Sequence, residues 1–159
     1  MRSEREVSRA IERYSDTVRR ICFLHLKNYA DTEDIFQTVF LKYALYSGTF
    51  ESAEHEKAWL IRVTVNAFHD LLKSFARRNT VSMELLTEEA AAGNPENGEV
   101  LQAVLSLPKK YKDVIYLHYY EGYSAVEIAK MLGKNENTVY SLLSRARGLL
   151  KDMLGGEEL

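Results

Sequence analysis

Residues 123–151, YSAVEIAKMLGKNENTVYSLLSRARGLLK, contain the pattern that decides the fold of the C-terminal part of the chain. The stretch predicts a helix, a turn and a second helix, because apolar residues recur at steps of three and four on both sides of Gly133. Gly133 falls where a helix-turn-helix commonly requires a positive φ, which glycine adopts at little cost. Ala129 is small where the two helices would approach most closely, and Val139 is spaced to pack back on Ile128.

Both helices of this motif begin with residues that suit a helix N-terminus. Ser124 is positioned to cap the first helix, and Glu127 three residues later completes the pattern of a capping box. Asn135 is positioned to cap the second helix. The two caps fix where each helix begins and therefore predict which residues of the second helix face outward.

The second helix of the motif has an apolar side and a polar side. We expect the inward side to consist of Val139, Leu142, Leu143, Ala146, Leu149 and Leu150. The outward side then presents the candidate DNA-reading residues, which are Asn137, Tyr140, Ser141, Ser144 and Arg145. Asn pairs with adenine, Arg with guanine, and Ser or Tyr with phosphate, so this side suits the major groove. A plain helical hairpin with a solvated face has the same pattern.

The first half of the chain also has helical periodicity. Apolar residues recur at helical spacing over residues 7–22 and 35–43, and Asp31 or Thr32 is a candidate N-cap for the second of these helices. The polar stretch 47–56 interrupts the pattern and predicts a loop. A third apolar stripe follows, through Trp59, Leu60, Val63, Ala67, Leu71 and Phe75. We expect Trp59 to belong to the core.

Acidic residues are concentrated between the two halves. Residues 80–99 hold five acids and no base, whereas residues 1–79 have a net charge of +2 and residues 100–159 a net charge of +1. The same segment contains Gly93, Pro95 and Gly98, a composition typical of a linker. The sequence therefore predicts an all-α fold. Two small helical domains, residues 1–78 and 100–155, are joined by a flexible acidic linker, residues 79–99, and the second domain is a helix-turn-helix.

Composition limits the classes of function. The formal net charge of −2 predicts weak unaided DNA binding, because phosphate neutralisation supplies most nonspecific affinity. Cys22 is the only cysteine, and the four histidines are scattered, so we expect a buried thiol, no metal site and no cofactor. No acid pair, nucleophile triad or phosphate-binding loop indicates an enzyme. A charged N-terminus and the lack of a long apolar run predict a cytoplasmic protein without membrane insertion.

Three segments together resemble the extracytoplasmic-function (ECF) sigma factors, which are small bacterial transcription initiation factors. They are DTEDIFQTVFLKY, AWLIRVTVNAFHDLLK and LPKKYKDVIYLHYYEGYSAVEIAKMLGKNENTVYSLLSRARGLLK, in that order. The resemblance implies one domain for the −10 promoter element, one for the −35 element, and core RNA polymerase as a partner. It also implies an anti-sigma factor as a partner that holds the protein inactive.

The resemblance assigns functions to surfaces of the first half. Asp34, Gln37, Thr38 and Leu41 would contact the polymerase, although a solvated helix face explains their spacing equally well. Arg62, Asn66, Asp70 and Lys73 recur at steps of four and three and would meet the melted −10 strand. An intrahelical salt-bridge ladder is the alternative for this ridge. Ser47, Thr49 and Phe50 lie in a stretch that resembles the family's specificity loop, which pockets a flipped-out base.

The chain departs from the family pattern at four positions. Asn137 replaces a usual glycine, Tyr140 and Leu142 lie where basic residues are frequent, and Thr38 replaces a usual glutamate. The reading helix is therefore less cationic than in the family. A stand-alone helix-turn-helix regulator is the competing function, and it predicts tight operator binding without polymerase. The acidic linker has two interpretations, a phosphate mimic in a polymerase channel and a flexible tether.

Overall fold

The structure is a computed structural model that describes residues 1–25, 29–79 and 98–155. The described residues contain seven α-helices and a π-helical turn and no strand, which confirms the expected all-helical fold. The helices are α1 (Glu4–His25), α2 (Tyr29–Leu45), α3 (Ala53–Asn79), α4 (Glu99–Leu105), α5 (Lys109–Ile115), α6 (Ala125–Leu132) and α7 (Glu136–Met153), with the π-helical turn at Tyr116–Tyr120. The chain divides into two compact units, Met1–Met83 and Glu84–Leu159.

In the first unit α1, α2 and α3 pack on one another in all three pairs. Each helix contributes an apolar stripe to a shared core, whose fully buried members include Val18, Ile21, Val39, Ile61 and Phe68. Cys22 belongs to this core as expected, and burial raises the pKa of its thiol to about 12. The thiolate is therefore disfavoured at neutral pH.

Two helices of this unit begin earlier than the sequence pattern predicts. The second begins at Tyr29, so Asp31 and Thr32 lie within the helix and neither is its N-cap. The third begins at Ala53, because the Ser52 hydroxyl accepts a hydrogen bond of 3.0 Å from the backbone N–H of His55. The predicted loop at residues 47–56 is therefore shorter, since its last four residues form a helical turn.

The buried stripe of α3 is also displaced from the predicted one. Ile61, Val65, Phe68 and Leu72 are buried, whereas Trp59, Val63 and Leu71 are half-buried and only Leu60 and Ala67 of the predicted stripe are in the core. The β-branched residues Ile61, Val63, Thr64 and Val65 admit either stripe, and the packing of α3 against α1 and α2 buries the one that contains Phe68. The side chain of Phe75 lies outside the described residues.

In the second unit α7 packs against α4, α5 and α6. The Ser124 hydroxyl accepts a hydrogen bond from the Glu127 backbone and the Glu127 carboxylate accepts one from the Ser124 backbone, which confirms the predicted capping box. Asn135 caps α7 by accepting a 3.0 Å hydrogen bond from the backbone N–H of Thr138, as expected. Gly133 has a φ of 66°, in the left-handed region that favours glycine. The helix-turn-helix is therefore present.

Two side chains of the second unit differ from a simple amphipathic pattern. Leu149, expected to face inward, is 37% exposed, so the buried side of α7 consists of Val139, Leu142, Leu143, Ala146 and Leu150. Lys112 is fully buried, and its ammonium group donates a 3.4 Å hydrogen bond to the carbonyl of Leu105. Burial lowers the pKa of Lys112 to about 8, against a smaller opposing effect of Asp113.

Of the predicted linker, residues 79–99, the part from 80 to 97 lies outside the described residues. Its two flanks are helical, because α3 continues through Asn79 and α4 begins at Glu99.

Candidate nucleic-acid interface

Helix α7 presents all five candidate −35 residues on one exposed side. Asn137, Tyr140, Ser141, Ser144 and Arg145 are exposed, and Tyr140 reaches 55% exposure. The opposite side is fixed to the unit by Val139 and Leu143, which are 0% and 2% exposed. A buried side that is this tightly packed sets the rotation of the helix about its axis. The polar side is therefore held outward in a fixed orientation, as a major-groove reader requires.

The polar ridge of α3 is likewise exposed over its whole length, at Arg62, Asn66, Asp70 and Lys73. Among the described side chains, none of these four forms an ion pair with another. The intrahelical salt-bridge ladder is thus not formed in the structure. Two cationic groups and an amide remain directed to solvent. Cationic groups bind phosphate, and an amide hydrogen-bonds a base edge.

The loop that precedes α3 is ordered around aromatic rings. Phe50 lies 6.1 Å from Tyr43 in a stacked arrangement, 5.6 Å from Tyr46 and 5.7 Å from Trp59 between ring centroids. Trp59 also lies 4.8 Å from Tyr46. Ser47 and Thr49 are exposed on either side of Gly48. We name the four rings of Tyr43, Tyr46, Phe50 and Trp59 the aromatic cluster. Trp59 is therefore part of the aromatic cluster and is not a core residue, so the prediction that it belongs to the core is wrong.

Hydrogen bonds fix the base of this loop. The Tyr43 hydroxyl donates to the Glu56 carboxylate at 2.7 Å, and burial, followed by this hydrogen bond, raises the pKa of Tyr43 to about 12. The Tyr14 hydroxyl on α1 donates to the carbonyl of Ala53 at 3.2 Å. A phenol that keeps its proton to high pH remains a donor throughout the physiological range. Beside the loop is a pocket of about 260 Å³, lined by Arg2, Glu6, Arg9, Ala10, Arg13, Tyr43, Thr49, Phe50 and Glu56.

The candidate polymerase-contacting residues of α2 also share one exposed side, at Asp34, Gln37, Thr38 and Leu41. Leu41 is 61% exposed, and Leu45, one turn later, is 59% exposed. Two exposed leucines at i and i+4 form an apolar strip beside polar residues. The family resemblance pointed to Leu41 and gave no role to Leu45, which is the last residue of α2.

Two further contacts of these surfaces were missed in the sequence. Arg2 inserts into the aromatic cluster from the N-terminus, and Tyr119 accepts a 2.6 Å hydrogen bond from Nε of Arg147 on the helix-turn-helix unit. Both join residues that are far apart in sequence, 28 residues for the second pair. A charged residue near a chain end and an exposed tyrosine carry no local pattern that identifies them.

No group of His, Cys, Asp and Glu side chains within the described ranges could hold a metal ion. None of the helices found there has the length and apolar character needed to cross a membrane.

An all-helical chain whose second unit holds a capped helix-turn-helix with an outward polar side is, by its fold, a helix-turn-helix protein. Comparisons with known proteins define it further. Residues 10–78 match the family described as Sigma-70 region 2, and residues 97–150 match that described as Sigma-70, region 4. The chain therefore belongs to the sigma-70 family, among its ECF sigma factors.

Individual relatives agree with this assignment. The chain is 32% identical to the ECF RNA polymerase sigma factor SigE of Mycolicibacterium smegmatis, over 91% of this chain and 60% of the relative. It is 28% identical to the RNA polymerase sigma factor SigV of Bacillus subtilis, over 88% of this chain and 86% of the relative. The chain spans about 60% of the length of the first two curated relatives that it matches.

A solved structure has the same fold. It contains the sigma factor RpoE in complex with the anti-sigma factor NepR from Bartonella quintana. The match has a TM-score of 0.74 at 19% identity and covers 96% of this chain and 99% of the other.

Proposed function

We propose that this chain is a transcription initiation factor that binds core RNA polymerase and directs it to promoters. In this proposal the loop and the α3 ridge read and open the −10 element, and α7 reads the −35 element. The observation that supports it most is the order of the two family regions along the chain. The candidate DNA-contacting side chains agree with it, because all are exposed except Phe50, which belongs to the aromatic cluster. The chain acts without catalysis of its own, in the cytoplasm, where polymerase and promoters are found.

The −35 contact rests on the chemistry of α7. Arg145 offers two parallel donors to guanine, and Asn137 offers a donor and an acceptor to adenine. Ser141 and Ser144 bond phosphate from the same side, so they set the register of the helix on the duplex. Because Arg145 is the only cationic residue among the five candidates, the affinity of α7 alone for DNA is weak, and the polymerase supplies the rest.

The −10 contact combines stacking with backbone attraction. A flipped-out base would stack against the half-buried ring of Phe50, with the hydroxyls of Ser47 and Thr49 beside it. Arg62 and Lys73 would hold the phosphates of the melted strand, and Asn66 would meet a base edge. Asp70 lies between them and would orient Arg62 or Asn66 rather than touch the DNA.

The polymerase contact is assigned to the exposed side of α2. Leu41 and Leu45 would be covered on binding, and Asp34, Gln37 and Thr38 would form its polar rim. An anti-sigma factor is the second protein partner, by analogy with the structural relative that is described in complex with one. It would hold the chain inactive by covering the surfaces that meet DNA and polymerase.

The direct test is binding to bacterial core RNA polymerase at low salt, followed by promoter opening. We expect the chain to bind core polymerase and to bind promoter duplex only weakly by itself. Tight binding to a DNA operator without polymerase, together with no binding to core, would instead support a stand-alone regulator.

Two substitutions separate the proposed roles. Arg145→Ala should lower the discrimination between the preferred −35 base and the other bases by about 10- to 100-fold. The affinity for core polymerase should not change. Asn66→Ala should leave the closed complex intact and slow opening of the −10 element. Lys151→Ala, an exposed charge at the far end of α7, is the matched control for the first. If Asn66→Ala abolished closed-complex binding as well, a structural role for Asn66 would replace the proposed one.

A further inference from the structure

Arg2 makes more contacts with the loop before α3 than any pattern in the sequence suggests. Its Nη2 donates a 2.6 Å hydrogen bond to the carbonyl of Gly48, 46 residues away. Its guanidinium carbon lies 4.7 Å from the ring centroid of Tyr43 and 4.9 Å from that of Phe50. One side chain therefore holds both the loop backbone and two rings of the aromatic cluster.

The position of Arg2 is itself fixed. Its backbone N–H donates a 2.8 Å hydrogen bond to the carbonyl of Ala44, near the end of α2. Its Nη1 lies 3.3 Å from the Glu6 carboxylate, and its side chain is only 13% exposed. A backbone hydrogen bond from Ser3, followed by the contact with Arg2, lowers the pKa of Glu6, so this carboxylate stays ionised beside the guanidinium.

A ring from the aromatic cluster also contacts the loop at Gly48. A methyl group added to Gly48 would overlap the ring of Tyr46, so this ring lies directly against the glycine backbone. Ser47 and Thr49 on either side are exposed. The guanidinium and the Tyr46 ring thus hold the short segment that carries the candidate base-contacting residues.

We propose that Arg2 is a positioning residue for −10 recognition, which clamps residues 47–50 in the conformation that receives the flipped-out base. The inference rests on the function proposed above. Arg2 acts through the loop and does not itself contact the base. Without the clamp the loop samples other conformations. The affinity for the preferred base then falls in proportion to the population of the conformation that receives it.

The experiment uses holoenzyme assembled from the full chain and core RNA polymerase, with a fork-junction DNA library randomised over the −10 element. We compare the wild type with Arg2→Met, Arg2→Lys and Arg5→Met. Arg5 is exposed in the first turn of α1, so Arg5→Met removes the same charge from the same helix end without a loop contact. The affinity for core polymerase is measured for each variant.

We expect Arg2→Met to reduce base discrimination at one position of the −10 element by about tenfold, a loss the size of one charge-assisted hydrogen bond. Discrimination at the other positions and core affinity should be unchanged. Arg2→Lys should restore part of the loss, and Arg5→Met should match the wild type. Quenching of Trp59 fluorescence by acrylamide should increase in Arg2→Met, because this residue is the only tryptophan and lies 5.7 Å from Phe50.

Gly48→Ala provides a second test that leaves Arg2 in place. Its methyl group displaces the Tyr46 ring, so this variant should lose discrimination at the same position as Arg2→Met. Unchanged discrimination in Arg2→Met, whatever the result for Gly48→Ala, or an equal loss at every position of the element, would overturn the clamp. A wild-type holoenzyme with no base preference in the −10 element would instead overturn the proposed function, which keeps the two failures distinct.

Discussion

The five candidate base-contacting side chains of the second unit lie on one regular helix, α7, whereas residues 46–50 are held by Arg2, which precedes α1, and by groups from α2 and α3. The reading side of α7 is oriented by residues within a few turns of it, through the Asn135 cap and the buried Val139 and Leu143. The loop conformation depends on Arg2, 46 residues from Gly48. The first surface is a rigid helix face, and the second is a segment stabilised by stacking around it.

This difference matches the two kinds of DNA that the surfaces are proposed to meet. Duplex DNA has a regular major groove, and a helix face that cannot rotate reads it without adjustment. A melted strand presents single bases, and an aromatic platform beside a short loop accommodates them by stacking.

Removing the packing beneath α7 should have the largest effect. Leu143 is 2% exposed, so Leu143→Ala should lower the free energy of unfolding of the second unit by about 2–5 kcal/mol. Leu149→Ala, at the 37% exposed neighbour on the same helix, should change it by less than about 0.5 kcal/mol. Denaturant titration followed by the NMR signals of Val139 measures both. Equal costs for the two leucines would contradict the observed rotation of α7.

Lys112 should destabilise the same unit at neutral pH. Its ammonium group is fully buried, so Lys112→Met should raise the free energy of unfolding by about 1–3 kcal/mol at pH 7. The pKa of Lys112 is about 8 in the folded state and 10.5 ordinarily, so between these values the unfolded chain binds more protons. The contribution of this group to stability should therefore rise with pH from 8 toward 10.5, and the variant should lack that rise.

The measurement is the unfolding free energy of both proteins at pH 7 and pH 9.5. If Lys112→Met lowered stability at pH 7, the hydrogen bond to Leu105 and the neighbouring Asp113 would outweigh the burial of the charge.

Removing a ring from the aromatic cluster should have a smaller and more local effect. Phe50 is half-buried, so Phe50→Ala should cost about 1–2 kcal/mol in the first unit. Thr49→Ala, at the exposed neighbouring residue, should have almost no effect on stability. Thermal unfolding monitored by Trp59 fluorescence reports this unit, since the chain has one tryptophan. A cost for Phe50→Ala no larger than that of Thr49→Ala would show that the cluster does not stabilise the loop.

The two glycines beside and within α7 should respond in opposite directions. Gly133 has a φ of 66°, so Gly133→Ala should destabilise the second unit by about 1 kcal/mol. Gly148 lies within α7 with open space around it, so Gly148→Ala should stabilise the helix by about 0.5–1 kcal/mol. Denaturation midpoints of the two variants check this. A stabilising effect of Gly133→Ala would contradict the left-handed turn.

The helix-turn-helix could be predicted from the sequence because its determinants are local. Ser124 and Glu127 are three residues apart, Gly133 marks the turn, and the exposed side of α7 follows from helical periodicity. Only the end of the pattern failed, since Leu149 is 37% exposed. The helical period of 3.6 residues predicts the direction in which a side chain points, but it does not predict which residues that side chain contacts.

The aromatic cluster and the loop that it holds could be predicted only in part, because they depend on contacts between residues far apart in sequence. Phe50 stood out as an aromatic residue in a polar stretch, but Trp59 was expected in the core and Arg2 had no distinguishing pattern. The displaced stripe of α3 has the same origin, since residues 61–65 offer two apolar faces and the packing with α1 and α2 buries one of them. Contacts between residues 46 apart are decided by how helices pack, which periodicity does not encode.

Sequencing the 5′ ends of transcripts made on fragmented genomic DNA by core RNA polymerase, with and without this chain, tests the central claim most directly. We predict start sites that depend on the chain and share two sequence elements at constant spacing, one for α7 and one for the loop and ridge of the first unit. Start sites identical to those of core polymerase alone, or a shared element at only one of the two positions, would contradict a promoter-directing factor that uses both surfaces.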